Sequence, residues 1–172
     1  EMVPHREHVM LEGIDCFAQH LVITEREAGV PQLAVSRIDG TGSYRITFPE
    51  PAYEAYLHAN PEWDVTTVRV GYQSLVTPAS VYDYNLDTTE RVLLKQQEVV
   101  GGYDPSRFVS ERREARATDG TLVPVSIVRR RDVAVDGSAP CFLTGYGAYG
   151  YPYPVTFSSG RLSLLERGVV VV

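Results

Sequence analysis

Residues 43–48 alternate between apolar and polar side chains with a period of two. Successive side chains of an extended strand point to opposite faces, so this pattern predicts a half-buried antiparallel strand. The residues just before it, Asp39-Gly40-Thr41-Gly42, form a hairpin turn signal. Short runs rich in apolar and β-branched residues predict further strands at residues 16–26, 32–38, 52–58, 65–74 and 80–86.

The first hundred residues show turn signals between these short strands and no helical periodicity. Such a pattern is typical of the blades of a β-propeller and equally of a β-sandwich. No internal repeat is strong enough to choose between the two architectures. The pattern therefore predicts an all-β first part and leaves its architecture open.

The pattern changes near residue 100. Gly101 and Gly102 mark a linker at residues 99–104, and residues 110–117 and 121–129 form a predicted hairpin around Asp119-Gly120. Charged residues of this hairpin, such as Arg112 and Glu114, are expected to face water. The sequence thus predicts two partial domains, residues 1–97 and residues 98–172.

Residues 140–172 predict a βαβ unit. An apolar strand at residues 140–143 is followed by a helix within residues 157–168, with Leu162 and Leu165 on its apolar stripe and Gly168 at its end. The four valines at 169–172 predict a strand in the middle of a parallel sheet, buried on both faces. Since such a strand needs further elements to cover it and no initiator methionine is present, we expect a fragment of a longer polypeptide.

The crossover between the strand and the helix carries the candidate chemistry, in the sequence Gly145-Tyr146-Gly147-Ala148-Tyr149-Gly150. Glycines at alternate positions allow positive φ and a close approach of the backbone to a ligand. The phenol of Tyr146 can donate a hydrogen bond into that space. The alternative is an ordinary turn rich in glycine and tyrosine.

Composition narrows the function classes. The formal charge of −6 argues against partners such as nucleic acid or an anionic membrane surface. Cys16 and Cys141 lack metal-ligand spacing, which indicates a reduced, cytoplasmic protein with buried thiols, Cys141 among the core residues. His5 and His8 form an H-x-x-H pair without further ligands, which is more typical of a solvated segment. We therefore expect no metal and no cofactor.

The chain contains no complete catalytic triad. No G-x-S-x-G nucleophile turn is present, and the four histidines, at positions 5, 8, 20 and 58, all precede the βαβ unit. In α/β-hydrolases the nucleophile comes first and the histidine last. A hydrolase built from this sequence would need its nucleophile, acid and base elsewhere.

Several motifs, in consistent order, resemble the prolyl oligopeptidase family of serine peptidases, and within it the oligopeptidase B branch. The motifs are Tyr82-Asp83-Tyr84-Asn85-Leu86-Asp87, Leu93-Leu94-Lys95-Gln96, Arg116-Ala117-Thr118-Asp119-Gly120-Thr121, the loop at residues 145–150, and Gly160-Arg161-Leu162-Ser163-Leu164-Leu165-Glu166-Arg167-Gly168. Residues 5–13 resemble the last propeller blades of the same family.

The resemblance implies a mostly β fold, with terminal β-propeller blades over residues 1–97 and the N-terminal part of an α/β-hydrolase domain over residues 98–172. It implies a serine oligopeptidase that hydrolyses short peptides after Arg or Lys. The chain alone, without the triad, is expected to be inactive.

The resemblance also implies one catalytic residue. Tyr146 matches the second tyrosine of the family's Y-G-Y-G-G-type loop, whose hydroxyl stabilises the oxyanion, while Thr144 occupies the place of the first tyrosine. Tyr149 is expected to be a packing residue. Some family members carry acidic residues just after this loop, which favour a second basic substrate residue. Residues 151–156 contain none, which argues against a dibasic preference.

Two other functions remain open. A non-enzymatic β-rich binding module, or a degenerate hydrolase relative that lost its triad, fits the same residues. A dipeptidyl peptidase branch is disfavoured by the loop at residues 145–150. A G-x-S-x-G turn, an aspartate and a histidine downstream of Val172 would support the peptidase.

Overall fold

The computed structural model describes residues 3–172 and contains three four-stranded sheets. The first sheet comprises β1 (Val9–Cys16), β2 (His20–Glu27), β3 (Val30–Arg37) and β4 (Tyr44–Arg45), in that order and all antiparallel. Ala28 and Gly29, both at positive φ, make the tight turn between β2 and β3. Four antiparallel strands in sequence order form a meander.

The second sheet is also a meander in sequence order. It comprises β5 (Tyr53–Leu57), β6 (Thr67–Ser74), β7 (Ser80–Asn85) and β8 (Arg91–Gln96). Strands β6, β7 and β8 pair antiparallel, with a register shift between Val81 and Tyr82. The predicted strands at residues 52–58, 65–74 and 80–86 are therefore confirmed with slightly shorter bounds.

The predicted strand at residues 43–48 is shorter than expected. Only Tyr44 and Arg45 pair with β3, although Ile46 donates one more backbone bond to Leu33. The predicted alternation of faces survives, because Ile46 is 1% exposed whereas its neighbours Arg45 and Thr47 are exposed. The prediction of which residues face the core was therefore correct, whereas the predicted length of the strand was too long.

The third sheet has the order β11-β12-β10-β9. The hairpin of β9 (Phe108–Arg116) and β10 (Leu122–Arg130) was predicted, and it pairs in continuous antiparallel register. Arg112 was expected to face water, and this expectation was wrong. Its side chain is half-buried and donates a hydrogen bond to Ser126 Oγ at 3.2 Å, and burial lowers its pKa. Glu114 is exposed, as predicted.

The βαβ unit is present at the other side of this sheet. Strand β11 (Cys141–Phe142) and strand β12 (Val170–Val171) run parallel and are connected by α1 (Ser159–Glu166). β12 lies between two strands, as expected, but it pairs antiparallel with β10. The expectation of a purely parallel environment was therefore wrong, because the preceding hairpin supplies the neighbour on that side. Val171 is buried whereas Val170 is half-buried, so the expected burial on both faces is only partly met.

Both cysteines are exposed in this structure, contrary to the prediction of buried thiols. Within residues 3–172, Cys141 lies on β11, an edge strand that pairs with β12 alone. Phe142 and Leu143 are exposed with it, at 51% and 72%. The prediction of a core strand rested on apolar residue type alone. These side chains are exposed because β11 lies at the edge of the described sheet.

Contacts divide the chain into two compact units. One contains residues 1–49, 54–72 and 80–96, and the other contains residues 50–53, 73–79 and 97–172. The core of the second unit joins α1 to the third sheet through Leu165, Val128 and Val171, which are 1%, 0% and 7% exposed. Gly168, at φ +80°, follows the helix end. Among residues 3–172, no helix has the length and apolar character needed to cross a membrane.

The first unit contains a buried carboxylate held by two arginines. The side chain of Glu25 is 1% exposed and accepts hydrogen bonds from Arg6 and from Arg45, whose Nη2 lies 2.6 Å from Oε1. Burial disfavours the ionised carboxylate, but the hydrogen bonds from Arg6 and Arg45 outweigh it and lower the pKa of Glu25. The ionised carboxylate therefore stabilises the folded first sheet.

Replacing Glu25 by glutamine is expected to lower the free energy of unfolding at pH 7 by about 1–3 kcal/mol. Because the folded pKa of Glu25 is lowered, its contribution is present above the unfolded pKa of about 4.3 and disappears as pH falls through the folded value. Urea unfolding of both variants between pH 3 and pH 7 measures this. A difference that stays constant over that range would exclude the proposed role of the charge.

Candidate functional site

The glycine-rich loop, residues 145–150, lies at the carboxyl end of β11 and precedes the segment that leads to α1. Thr144 begins the loop by donating its backbone N–H to the Val172 carbonyl at 2.8 Å, with its hydroxyl 3.2 Å from the same oxygen. Because β11 and β12 are parallel, this contact places the loop beside the carboxyl ends of both strands. Ligand sites of open α/β sheets occur at this edge.

The loop turns sharply because three of the four positions from 147 to 150 adopt left-handed backbone. Gly147, Tyr149 and Gly150 have φ values of +69°, +57° and +64°. The backbone N–H of Tyr151 donates to the Ala148 carbonyl at 3.1 Å and closes the turn. Tyr149 is not a glycine, so its left-handed conformation is uncommon and concentrates strain in this loop.

The turn brings three tyrosine rings together. The ring of Tyr146 lies 5.8 Å from that of Tyr151, centroid to centroid, with an interplanar angle of 80°. The ring of Tyr149 lies 6.4 Å from that of Tyr146 at 36°. Tyr146 is 56% exposed and Tyr151 is 59% exposed, so the Tyr146 phenol is accessible at the end of its strand.

The segment after the loop is fixed to the start of α1. Arg161 is half-buried, its Nη1 donates to the Thr156 carbonyl at 2.9 Å, and burial lowers its pKa. Ser158 caps the helix by accepting from the backbone N–H of Arg161. The backbone N–H of Phe157 donates to Gln73 Oε1 at 3.2 Å. The glycine-rich loop is therefore attached to regular structure on both sides. Thr144 attaches it to the end of β12, and residues 156–161 attach it to α1.

The histidines of the described chain lie outside this loop. His20 is 2% exposed and its Nε2 lies 3.2 Å from Asp87 Oδ1, which also accepts from Arg37 at 2.6 Å. His58 is half-buried with its ring edge-on to Tyr56. Within residues 3–172, no group of three or more His, Cys, Asp or Glu side chains is arranged to hold a metal ion.

The structure places Tyr146 at an exposed loop beyond the end of β11, where an acceptor can reach its hydroxyl. Tyr149 does not pack as expected, since it is 94% exposed. The contact between Tyr146 and Tyr151 was not predicted. Hydrophobic periodicity cannot predict this ring contact, because the contact depends on the turn at residues 147–150 rather than on a helix or strand.

The family comparison identifies a known domain in the first part of the chain. Residues 1–97 match the N-terminal β-propeller domain of prolyl oligopeptidase. This match chooses between the two all-β architectures left open by the sequence pattern and agrees with the two antiparallel meanders.

Curated relatives match nearly the whole chain. The chain is 44% identical to dipeptidyl aminopeptidase BI of Pseudoxanthomonas mexicana, over 99% of the chain and 23% of that protein. It is 34% identical to protease 2 of Moraxella lacunata, over 99% of the chain and 24% of that protein. The chain thus spans about a quarter of the length of these relatives.

A solved structure matches nearly the whole chain. Oligopeptidase B from Trypanosoma brucei, in a closed form with covalently bound antipain, matches with a TM-score of 0.88 and 28% identity. The match covers 99% of the chain and 25% of that protein. The match therefore includes the residues of both meanders and of the third sheet.

Proposed function

Because the chain belongs to the prolyl oligopeptidase family, we propose that it is the segment of a cytoplasmic serine oligopeptidase that connects the last propeller blades to the catalytic domain. Residues 1–97 are the closing blades, and residues 98–172 begin the α/β-hydrolase domain. The end of the family match at residue 97 supports this division. The parallel pair β11 and β12 with its connecting helix supports the hydrolase assignment.

The single observation that carries the catalytic role is the exposed phenol of Tyr146 at the carboxyl end of β11. Attack of a serine on a peptide carbonyl places negative charge on the carbonyl oxygen. A positioned phenolic O–H that donates to this oxygen stabilises the tetrahedral intermediate more than the ground state. Tyr146 is the oxyanion donor, and the nucleophile, acid and base come from other parts of the full-length enzyme.

The substrates are short peptides cleaved after a single Arg or Lys. Similarity to oligopeptidase B supports this class, and the absence of acidic residues at 151–156 argues against a requirement for a second basic residue. The specificity test compares hydrolysis of matched peptides carrying one Arg, two adjacent basic residues, or a neutral residue at the cleavage position. Equal cleavage of the neutral peptide would exclude the basic preference.

The name of the 44% identical relative favours a second function, release of dipeptides from the amino end of a peptide. An N-terminally acetylated peptide with an internal Arg separates the two functions. An endopeptidase cleaves it as well as the unblocked peptide, because it does not need a free amino group. An enzyme that releases dipeptides cleaves only the unblocked form.

The chain of 172 residues by itself is expected to hydrolyse none of these peptides, since it lacks the triad. Measurable cleavage by the purified chain would contradict the assignment of the nucleophile to another part of the enzyme. A full-length sequence without a G-x-S-x-G turn would favour a degenerate relative or a binding module instead.

A further inference from the structure

We propose that Tyr151 is a positioning residue that holds the ring of Tyr146 in the orientation needed to donate to the oxyanion. This inference rests on the proposed function of Tyr146. It assigns a role to the aromatic contact between the two rings, and it concerns the ring of Tyr151 rather than its hydroxyl.

The contact has the geometry of an attractive aromatic pair. The two ring centroids are 5.8 Å apart and the rings are almost perpendicular, at 80°. Aromatic pairs attract in edge-to-face arrangements at roughly 4.5–7 Å, because the positive edge of one ring meets the negative face of the other. Tyr151 therefore favours one orientation of the Tyr146 ring over others.

The rest of the loop offers the Tyr146 ring little restraint. A Cβ at Gly145 or Gly147 would have no atom within 4 Å apart from those of its chain neighbours, so no other part of the described chain packs at these two positions. The other neighbouring ring belongs to Tyr149, which is 94% exposed and is itself poorly held. Tyr151 thus provides the better-supported side-chain contact to the phenol in this loop.

Tyr151 is better placed to give that support because its backbone is fixed on both sides. Its N–H closes the turn by donating to the Ala148 carbonyl at 3.1 Å. Its neighbour is Pro152, which is half-buried, and a residue before proline is confined to extended backbone conformations. The ring of Tyr151 is therefore attached to a restrained backbone and can restrain its partner.

A donor contributes to catalysis in proportion to the time it spends correctly oriented before the charge develops. If Tyr151 is replaced by leucine, the Tyr146 ring samples more orientations, and kcat falls while KM is unchanged. The expected decrease in kcat is roughly three- to tenfold, which corresponds to the loss of one aromatic pair.

The test measures kcat and KM of the full-length enzyme on an Arg-containing peptide for Tyr151→Leu, Tyr151→Phe and the matched control Tyr153→Leu. Tyr153 is 56% exposed, close to the 59% of Tyr151. The proposal predicts that only Tyr151→Leu loses kcat, since phenylalanine retains the ring. A loss of equal size in Tyr151→Phe, or a rise in KM without a change in kcat, would overturn it.

A double substitution separates this inference from the function it rests on. In the Tyr146→Phe background, Tyr151→Leu is expected to cause no further loss of kcat, because the oriented hydroxyl is already absent. An equal loss in both backgrounds shows that Tyr151 acts independently of Tyr146 and contradicts the inference. If Tyr146→Phe alone leaves kcat unchanged, the oxyanion assignment itself fails. If Tyr151→Leu does not fold, Tyr151→Thr gives the same comparison, and unchanged kcat in that variant contradicts the inference.

Discussion

Replacing Tyr146 by phenylalanine in the full-length enzyme is expected to lower kcat on an Arg-containing peptide about a hundredfold, while KM stays within about twofold. The substitution removes one hydroxyl and retains the ring, so the contact with Tyr151 is preserved. The proposed donor acts on charge that develops in the transition state, so its removal is expected to cost about 3 kcal/mol of transition-state stabilisation. Steady-state kinetics measures the effect.

Tyr149→Phe is the matched control, because it removes the same hydroxyl from the adjacent tyrosine of the loop. Tyr149 is 94% exposed and has no proposed contact with the reacting atoms. Its substitution is expected to change kcat by less than about twofold. An unchanged kcat in Tyr146→Phe would remove Tyr146 from the mechanism, and equal losses in both variants would point to a general disturbance of the loop.

Replacing Leu165 by alanine is expected to destabilise the second unit by about 2–5 kcal/mol. Leu165 is 1% exposed and belongs to the apolar cluster that includes Val128 and Val171. The substitution removes three buried carbon atoms and leaves a cavity between α1 and the sheet. Urea unfolding of the chain, followed by far-ultraviolet circular dichroism, measures the change.

Leu164→Ala provides the control on the same helix. Leu164 is half-buried, so its loss is expected to cost about 1 kcal/mol or less, although both substitutions change the helix propensity equally. Equal destabilisation by the two variants would contradict the packing described for α1.

The strand positions could be predicted from sequence where one face of a strand is apolar. Residues 20–37 and 67–85 form strands close to the predicted ones, because alternation and turn residues agree there. Strands β1 and β8 were not predicted. In β8 three apolar residues, Val92, Leu93 and Leu94, follow one another, so the sequence shows no period of two. All three are about half exposed in the structure.

The predicted burial failed at the edges of the described sheets. Cys141 and Phe142 have the composition of a core strand, yet β11 is an edge strand and exposes both. The prediction for Arg112 was wrong in the opposite direction, because this residue was expected to be exposed and is half-buried. A long charged side chain can bury its aliphatic part while its guanidinium donates a hydrogen bond, here to Ser126 Oγ. Both errors arise because burial depends on neighbouring elements that a local pattern does not contain.

The candidate site was located from its glycines and its resemblance to a family, and the βαβ context around it was predicted correctly. The arrangement of the three tyrosine rings was beyond sequence reasoning. It depends on the left-handed backbone of Tyr149, which is an uncommon conformation for a residue other than glycine. The role of Tyr146 and the boundary near residue 97 stay predictions.

The most direct test is a crystal structure of the full-length enzyme with a peptide aldehyde bound to its catalytic serine, which mimics the tetrahedral intermediate. The measured quantity is the distance from the Tyr146 hydroxyl oxygen to the hemiacetal oxygen. The account predicts a hydrogen bond of about 2.7–3.1 Å. A hemiacetal oxygen held by other donors, with the Tyr146 phenol turned away from it, would contradict the account.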